Sequence, residues 1–466
     1  MSTFRGISAS LTALHANQRA MEVTANNIAN VNTEGYTRQR VNLTEIGGPS
    51  VPGVHAQARP VGDGVMIDNV QRLRDAFLES RGRVEHGQQA YLQGTQQTLG
   101  RIEAAFAEPG ENALQAQLGE MWNAFADVAN KPDDQAARSA LVVRSTVVAD
   151  TIRNASGQME SVWNTAHEQL NALVTEVNAT ARTVAELNQA VVSNSNIGQP
   201  ANDLADKRDL AVMKLVELTG GTVHDRPDGS VDVQVGGSLL VLGSTSRQFQ
   251  EPTGAHDIGD AKLGSFVEVR WADGNNPKVA TSAGKLGAAL ETLNSTLPTY
   301  SKRLDEVAKD LADTVNTVHA QGQTDAGVRG GAYFGSGSAD PVNASNIRME
   351  ISDLKDLAIA DYGAAPGAKD GTNADRMADL AKEPDGPDQR YKRMVVDLGV
   401  QTQATNRRVE IQNGIVNEVD AQRAGESGVN LDEEMTNLVQ FERGYQAAAR
   451  VITTIDEMLD TLINRM

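Results

Sequence analysis

Seven histidines, one glycine-rich stretch and one acidic triplet are the residues of this chain whose types could do chemistry. His15, His55, His86, His167, His224, His256 and His319 are scattered, and no two have metal-ligand spacing on one helical turn. Gly327-Val328-Arg329-Gly330-Gly331, with Gly335 and Gly337, lacks the Gly-Lys-Ser/Thr ending and following helix that a phosphate-binding loop requires, so it reads as a loop. Asp432-Glu433-Glu434 sits at a helix start between Leu431 and Met435. There three carboxylates favour the positive end of the helix dipole, with a calcium site as the alternative. No Gly-x-Ser-x-Gly elbow occurs, and the absence of cysteine removes disulfides, thiolate metal sites and cysteine nucleophiles. The expectation is a non-enzyme with no cofactor, no metal and no catalytic residue.

What would position such residues is instead the dominant feature. Leu438, Phe441, Tyr445, Ala448, Ile452, Ile455, Leu459, Leu462 and Met466 recur in alternating steps of three and four residues, the period of a coiled-coil seam. At the other extremity Ile7, Leu11, Leu14, Met21 and Ile28 follow the same register, with Gln18 and Ala25 at weak positions. Neither stripe has a sequence neighbour to bury it, so the two ends meet each other or meet other subunits. The expected interface residues are Ile7, Leu11, Leu14, Met21, Ile28, Leu438, Tyr445, Ile452, Ile455, Leu459 and Leu462.

The chain has 466 residues and a net charge of −19, which disfavours nucleic acid and anionic membrane surfaces as partners. Five arginines against three glutamates give residues 1–59 a net charge of +2, whereas residues 429–466 carry −4, a polarity that favours pairing of the ends. Aromatics are only 4% of the sequence, which suits long helices packed through Leu, Val and Ala. No run of eighteen apolar residues predicts a transmembrane helix, and the start is polar and Asn-rich rather than a secretory signal.

Along the chain, a first helix is expected from Ser2 or Thr3 to about Asn30. It exits through Asn26, Asn27, Asn30, Asn32 and Gly35. Residues 41–70 read as extended, broken by Pro49, Pro52, Gly53 and Pro60, with a turn at Gly62-Asp63-Gly64. Three stripes predict long helices: Leu114 to Val128, Trp163 to Val191, and Leu286 to Leu311; Pro132 and Asp133 are placed in the first turn of the second. Residues 220–280 alternate at Val231, Val233 and Val235, and again at Val267 and Val269, with turns at Pro227-Asp228-Gly229, Gly236-Gly237 and Asp273-Gly274. Residues 322–375 read as irregular loops and a hairpin. The fold class is therefore mainly α with a small all-β insert: a terminal coiled coil (1–45 and 425–466), a long helical rod domain (46–219 and 281–424) and an antiparallel β domain (220–280).

Asn26-Asn27-Ile28-Ala29-Asn30, followed by Asn32 and Gly35-Tyr36-Thr37-Arg38-Gln39, resembles the N-terminal motif of flagellar axial proteins. Its Tyr-Thr-Arg-Gln form is similar to the first hook-associated protein family, whose members form the hook–filament junction. Ser427-Gly428-Val429-Asn430-Leu431-Asp432-Glu433-Glu434 and Tyr445-Gln446-Ala447-Ala448-Ala449-Arg450 resemble that family's C-terminus, and Asn202-Asp203-Leu204 with Asp206-Lys207-Arg208-Asp209 looks like an internal family motif. The resemblance implies a structural subunit, copied around a ring, between hook protein and a second junction protein on the filament side. It also implies export by the flagellar type III apparatus, a cytoplasmic chaperone on the C-terminal helix, and no nucleic acid or membrane insertion. Asn27, Asn30, Gly35 and Tyr36 are expected to shape the turn that leads outward into the rod, and Arg38, Asn430 and Leu431 are further residues of the family motifs. Some relatives carry an outer insertion near residues 335–350, where this chain has almost nothing. The competing readings are a rod or hook axial subunit, or a secreted adhesin or enzyme with flagellin-like ends.

Overall fold

A computed structural model describes residues 2–46, 64–274, 277–365 and 369–464. His55, the prolines at 49, 52 and 60, Gly53, Gly62, Asp63 and Met466 lie outside the described residues, as does the side chain of Leu462.

Helix α1 (Ser2–Ala29) leads into a two-stranded antiparallel hairpin, β1 (Gln39–Glu45) and β2 (Val65–Arg72), with a register shift between Asn42 and Leu43. Asp75 then caps α2 (Ala76–Phe106), its carboxylate accepting from the Phe77 and Leu78 amides, and Ala107 ends that helix in the left-handed region. In α3 (Leu114–Asn130) the expected stripe Leu114, Leu118, Met121, Phe125 and Val128 is wholly buried. Helix α4 (Gln135–Asn196) has 62 residues, so it spans ~93 Å at 1.5 Å per residue. It starts two residues later than Asp133, because Asp134 takes the cap position and accepts from the Ala136 amide. Along α4 the Trp163-to-Val191 stripe is buried, apart from the half-exposed Leu173 and Leu187.

After α5 (Asn202–Thr219) come β3 (Thr222–Asp225), β4 (Val231–Val235), β5 (Ser238–Leu242) and β6 (Thr245–Ser246), one antiparallel sheet in sequential order. Gly236 and Gly237, both at positive φ, make the β4–β5 turn. Val231, Val233, Val235, Val267, Val269 and Trp271 are buried, and they join the helices in a single continuous apolar core. Asn188 of α4 ties the insert on: it donates to the Val231 and Gly243 carbonyls, both at 2.8 Å, and accepts from the Val231 amide. The short α6 (Ile258–Lys262) follows.

The Leu286-to-Leu311 stripe is not one uniform helix. A five-residue π-turn at Thr292–Thr296 separates α7 (Gly284–Glu291) from α8 (Leu297–His319). Pro298 lacks the amide that would bond to the Asn294 carbonyl, so the regular ladder breaks there. Residues 322–361 carry two-residue strand pairs and a 3-10 turn at Leu354–Asp356, followed by α9 (Thr372–Asp379). Helix α10 (Pro387–Ser427) runs back beside α2, and α11 (Leu431–Asn464) pairs with α1.

Candidate functional site: a polar joint beneath the terminal helix pair

The ends of the chain meet. Helices α1 and α11 run antiparallel, with Asn27 against Glu434, Asn17 beside Gly444 and Gly6 beside Ile455. On α1 the buried residues are Ala16, Ala20, Val23, Thr24 and Asn27; on α11 they are Glu434, Ala448 and Ile455. A Cβ on Gly6 would sit 3.2 Å from the Ile455 side chain, and one on Gly444 would come within 2.6 Å of Asn17. At both places a glycine of one helix lies against a larger side chain of the other, and Ala448 and Ile455, two of the three buried residues of α11, belong to the expected stripe.

Ile7, Leu14, Met21 and Ile28 are half-exposed in the closed pair, and Leu11 is exposed. They stand roughly half a turn from Ala9 and Thr12, the side on which the hairpin docks through the Val65 amide and the Thr12 hydroxyl. On α11, Leu438, Tyr445, Ile452 and Leu459 are half-buried, and Ile455 alone among the described side chains of the expected set is fully buried.

At the Asn27 end a network of polar side chains replaces the apolar seam. Asn27 is buried and uses both ends of its amide. Its nitrogen donates to Glu434 Oε2 and to the Gln39 carbonyl, each at 2.9 Å; its oxygen accepts from the Tyr36 hydroxyl at 2.8 Å and the Gln39 amide at 3.0 Å. Arg38 donates from Nε to Glu434 Oε1 at 2.7 Å and reaches Glu433 at 2.8 Å, and its backbone amide donates to the Ser427 carbonyl. Asn30 and Gly35 shape the turn that delivers these groups. Asn30 donates to the Asn26 carbonyl and accepts from Thr33, and Gly35 takes a φ of +75°, which L side chains rarely adopt. Asn430 caps α11, its side-chain oxygen accepting from the Asp432 amide at 3.0 Å; Leu431 is exposed.

A second tier lies on α5. Asn202 donates to Gln39 and to the Val70 carbonyl, and Asp206 accepts from the Thr37 amide. Arg72 bridges Asp206 and Asp209 at 2.8 Å each, and Asp209 also receives Arg74 and Arg208. Arg208 donates onward to the Gly229 carbonyl in the β3–β4 turn. Burial opposes ionisation of Asp209, but the guanidinium groups of Arg208, Arg74 and Arg72 outweigh it and hold the carboxyl below its usual range. The Tyr36 hydroxyl is pushed up to about 12 by burial and by the carboxylates of Asp203, Asp206 and Glu434, so it stays a protonated donor.

Sequence reasoning placed Asn27, Tyr36 and Arg38 here but read Glu434 as one of three dipole-neutralising acids. Its neighbours Asp432 and Glu433 are exposed, whereas Glu434 is 2% exposed and forms the buried one of the two ion pairs to Arg38. Position on the inner face of α11 separates them, and the helical register shared with Ala448 and Ile455 was the available signal. Among the described residues, no cluster of three or more His, Asp or Glu side chains is arranged to hold a metal. His319 is instead a core residue, its ring nitrogens bonded to the Gly331 carbonyl and the Ala358 amide.

Both ends match families shared among axial proteins: residues 7–37 match "Flagella basal body rod protein", and residues 421–466 match "Flagellar basal body rod FlgEFG protein C-terminal". The middle discriminates. Residues 99–334, just over half the chain, match "Flagellar hook-associated protein FlgK helical domain". The chain belongs to the hook-associated protein FlgK family. It is 29% identical to flagellar hook-associated protein 1 of Bacillus subtilis, over 100% of this chain and 99% of that one. It is 24% identical to the Escherichia coli protein of the same name, over 98% and 99%. The flagellar hook junction protein FlgK of Burkholderia pseudomallei has the same fold, with a TM-score of 0.64 at 15% identity, over 74% of this chain and all of that one.

Proposed function

We propose that this FlgK-family chain is a structural subunit of the bacterial flagellum at the hook–filament junction, and that its terminal helix pair is the assembling element. One observation carries the assembly reading. Ile7, Leu11, Leu14, Met21 and Ile28 of α1, and the row Leu438, Tyr445, Ile452 and Leu459 of α11, are left half-exposed or exposed after the pair has closed. A continuous apolar border of that kind is disfavoured in water and is suited to contact with further copies. Copies in a ring would cover it through head-to-tail contacts, in which two different surfaces meet.

The polar joint gives the pair a fixed attachment to the rod. Hydrogen bonds and ion pairs are directional, so Asn27, Arg38, Glu434, Asp206 and Asp209 set the angle at which α1 and α11 leave the rod. The proposed division is a terminal assembly unit, a helical rod and a β insert bound to the rod through Asn188. Hook protein on one side and a second junction protein on the other are the expected neighbours. Export by the flagellar type III route, with a chaperone covering α11 beforehand, fits a helix whose apolar border needs a cover in the cytoplasm. Since the two ends alone also match rod-protein families, the second reading is a rod or hook axial subunit. Immunogold labelling decides between them: a single band at the hook tip supports the junction, and label along the hook or rod overturns it.

A further inference from the structure

Helix α10 is an edge helix. It packs on α2 and α8, and its buried row is Tyr391, Met394, Leu398, Thr402, Val409, Val416 and Val419. The opposite row carries Arg393, Val396, Val400, Arg407 and Ile411, spaced three, four, seven and four residues apart. Val396, Val400 and Ile411 are 53%, 61% and 58% exposed. The charge of this stretch is also the reverse of the chain's. Residues 390–408 hold Arg390, Lys392, Arg393, Arg407 and Arg408 against Asp397 alone, in a protein of net charge −19. Arg390, Arg393 and Asp397 have ion-pair partners, whereas Lys392, Arg407 and Arg408 make no ion pair among the described residues.

On the far side of the α2–α8 layer lies α4, which touches α2 and α8 as α10 does but shares no substantial contact with α10. Glu160, Glu168 and Glu186 are exposed on α4 and make no ion pair among the described residues; Arg182 is the one cation on that helix in the same condition. Lys392 and Arg407 are ~22 Å apart along α10, and Glu168 and Glu186 ~27 Å apart along α4. The two helices thus present charges of opposite sign, at similar spacing, on opposite sides of one subunit. That is the arrangement a head-to-tail contact between copies needs.

We propose that the α10 row of one subunit docks on the α4 face of the next copy of this chain. Arg407 meets Glu168 and Lys392 meets Glu186, with Val396 and Val400 packed between the two pairs and Ile411 just beyond Arg407. This contact rests on the junction reading and adds to it a lateral seam in the rod, separate from the terminal helices.

The test is charge reversal in cells, scored by immunogold occupancy of hook tips and by filament count, with circular dichroism on each purified variant. Arg407→Glu and Glu168→Arg should each lower occupancy roughly tenfold, and the doubly reversed chain should recover at least half of it. Because the parent lacks cysteine, Arg407→Cys combined with Glu168→Cys should give a ladder of cross-linked copies on oxidation, and neither single variant should. Parental occupancy in both charge variants, or loss without recovery in the reversed pair, overturns the seam. Absence of the parent protein from hook tips overturns the junction reading and the seam with it.

Discussion

Replacing Glu434 by alanine should loosen the terminal pair without unfolding the rod. Glu434 Oε1 takes Arg38 Nε and Nη2, both at 2.7 Å, and Oε2 takes Asn27 at 2.9 Å. Breaking a buried pair by removing one partner costs about 3–5 kcal/mol. Arg38 keeps Glu433 and is 18% exposed, which puts the expected loss near the lower end, about 3 kcal/mol. At 1.4 kcal/mol per factor of ten, that multiplies the opening equilibrium of the pair by on the order of 100. Native-state amide exchange of the assembled protein should show protection in residues 16–29 and 434–455 falling by about that factor, with α3 and α4 unchanged. Glu433→Ala is the control: its side chain is 59% exposed, and the change should stay within ~1 kcal/mol. Equal effects of the two substitutions would refute the claim that the joint rests on Glu434.

Four further outcomes follow from the same geometry. Tyr36→Phe removes the 2.8 Å bond to Asn27 and should cost about 1 kcal/mol in the same exchange measurement. Asp209→Ala strips three guanidinium groups of their shared carboxylate and should cost ~3–5 kcal/mol by chemical denaturation. Because the folded-state pKa of Asp209 is depressed, its contribution is present above the ordinary carboxylate range and is lost as pH falls through the lower folded value. His86 sits between Glu217 and Asp420, at 3.4 and 3.0 Å, with Arg423 also bonded to Asp420; the bond to Glu217 leads in raising its pKa, with burial opposing. Its stabilisation is therefore complete below the unfolded histidine range and lost as pH rises through the raised folded value, so a thermal melt series should flatten over that window in His86→Gln. Gly444→Val drives a side chain into Asn17 and should weaken the α1–α11 pair by about 1–3 kcal/mol, read by exchange in α11.

Much of the helical framework was legible because large apolar residues recur at helical spacing: α3, α4 and α11 follow their stripes, and the Val231-Val233-Val235 alternation marks β4. What escaped was carried by residues that hydrophobic periodicity does not register. Gly6, Ala16 and Ala20 of α1 are weak in any apolar pattern, yet Gly6 lies against Ile455 and the two alanines are buried. The joint was recognisable only as motifs, since its pairs join Asn27 and Arg38 to Glu434 across some four hundred positions. The π-turn at 292–296 left a local trace in Pro298, overlooked because the stripe continues through it.

The assembly role of the uncovered α1 row is tested most directly by placing a charge on it, with Met21→Glu, and counting filaments on hooks by electron microscopy. Met21 is half-exposed, so the purified variant should keep the parental circular dichroism and a melting temperature close to the parent's. Hooks with no filament are the predicted result. A full complement of filaments on hooks built with the variant would contradict the account.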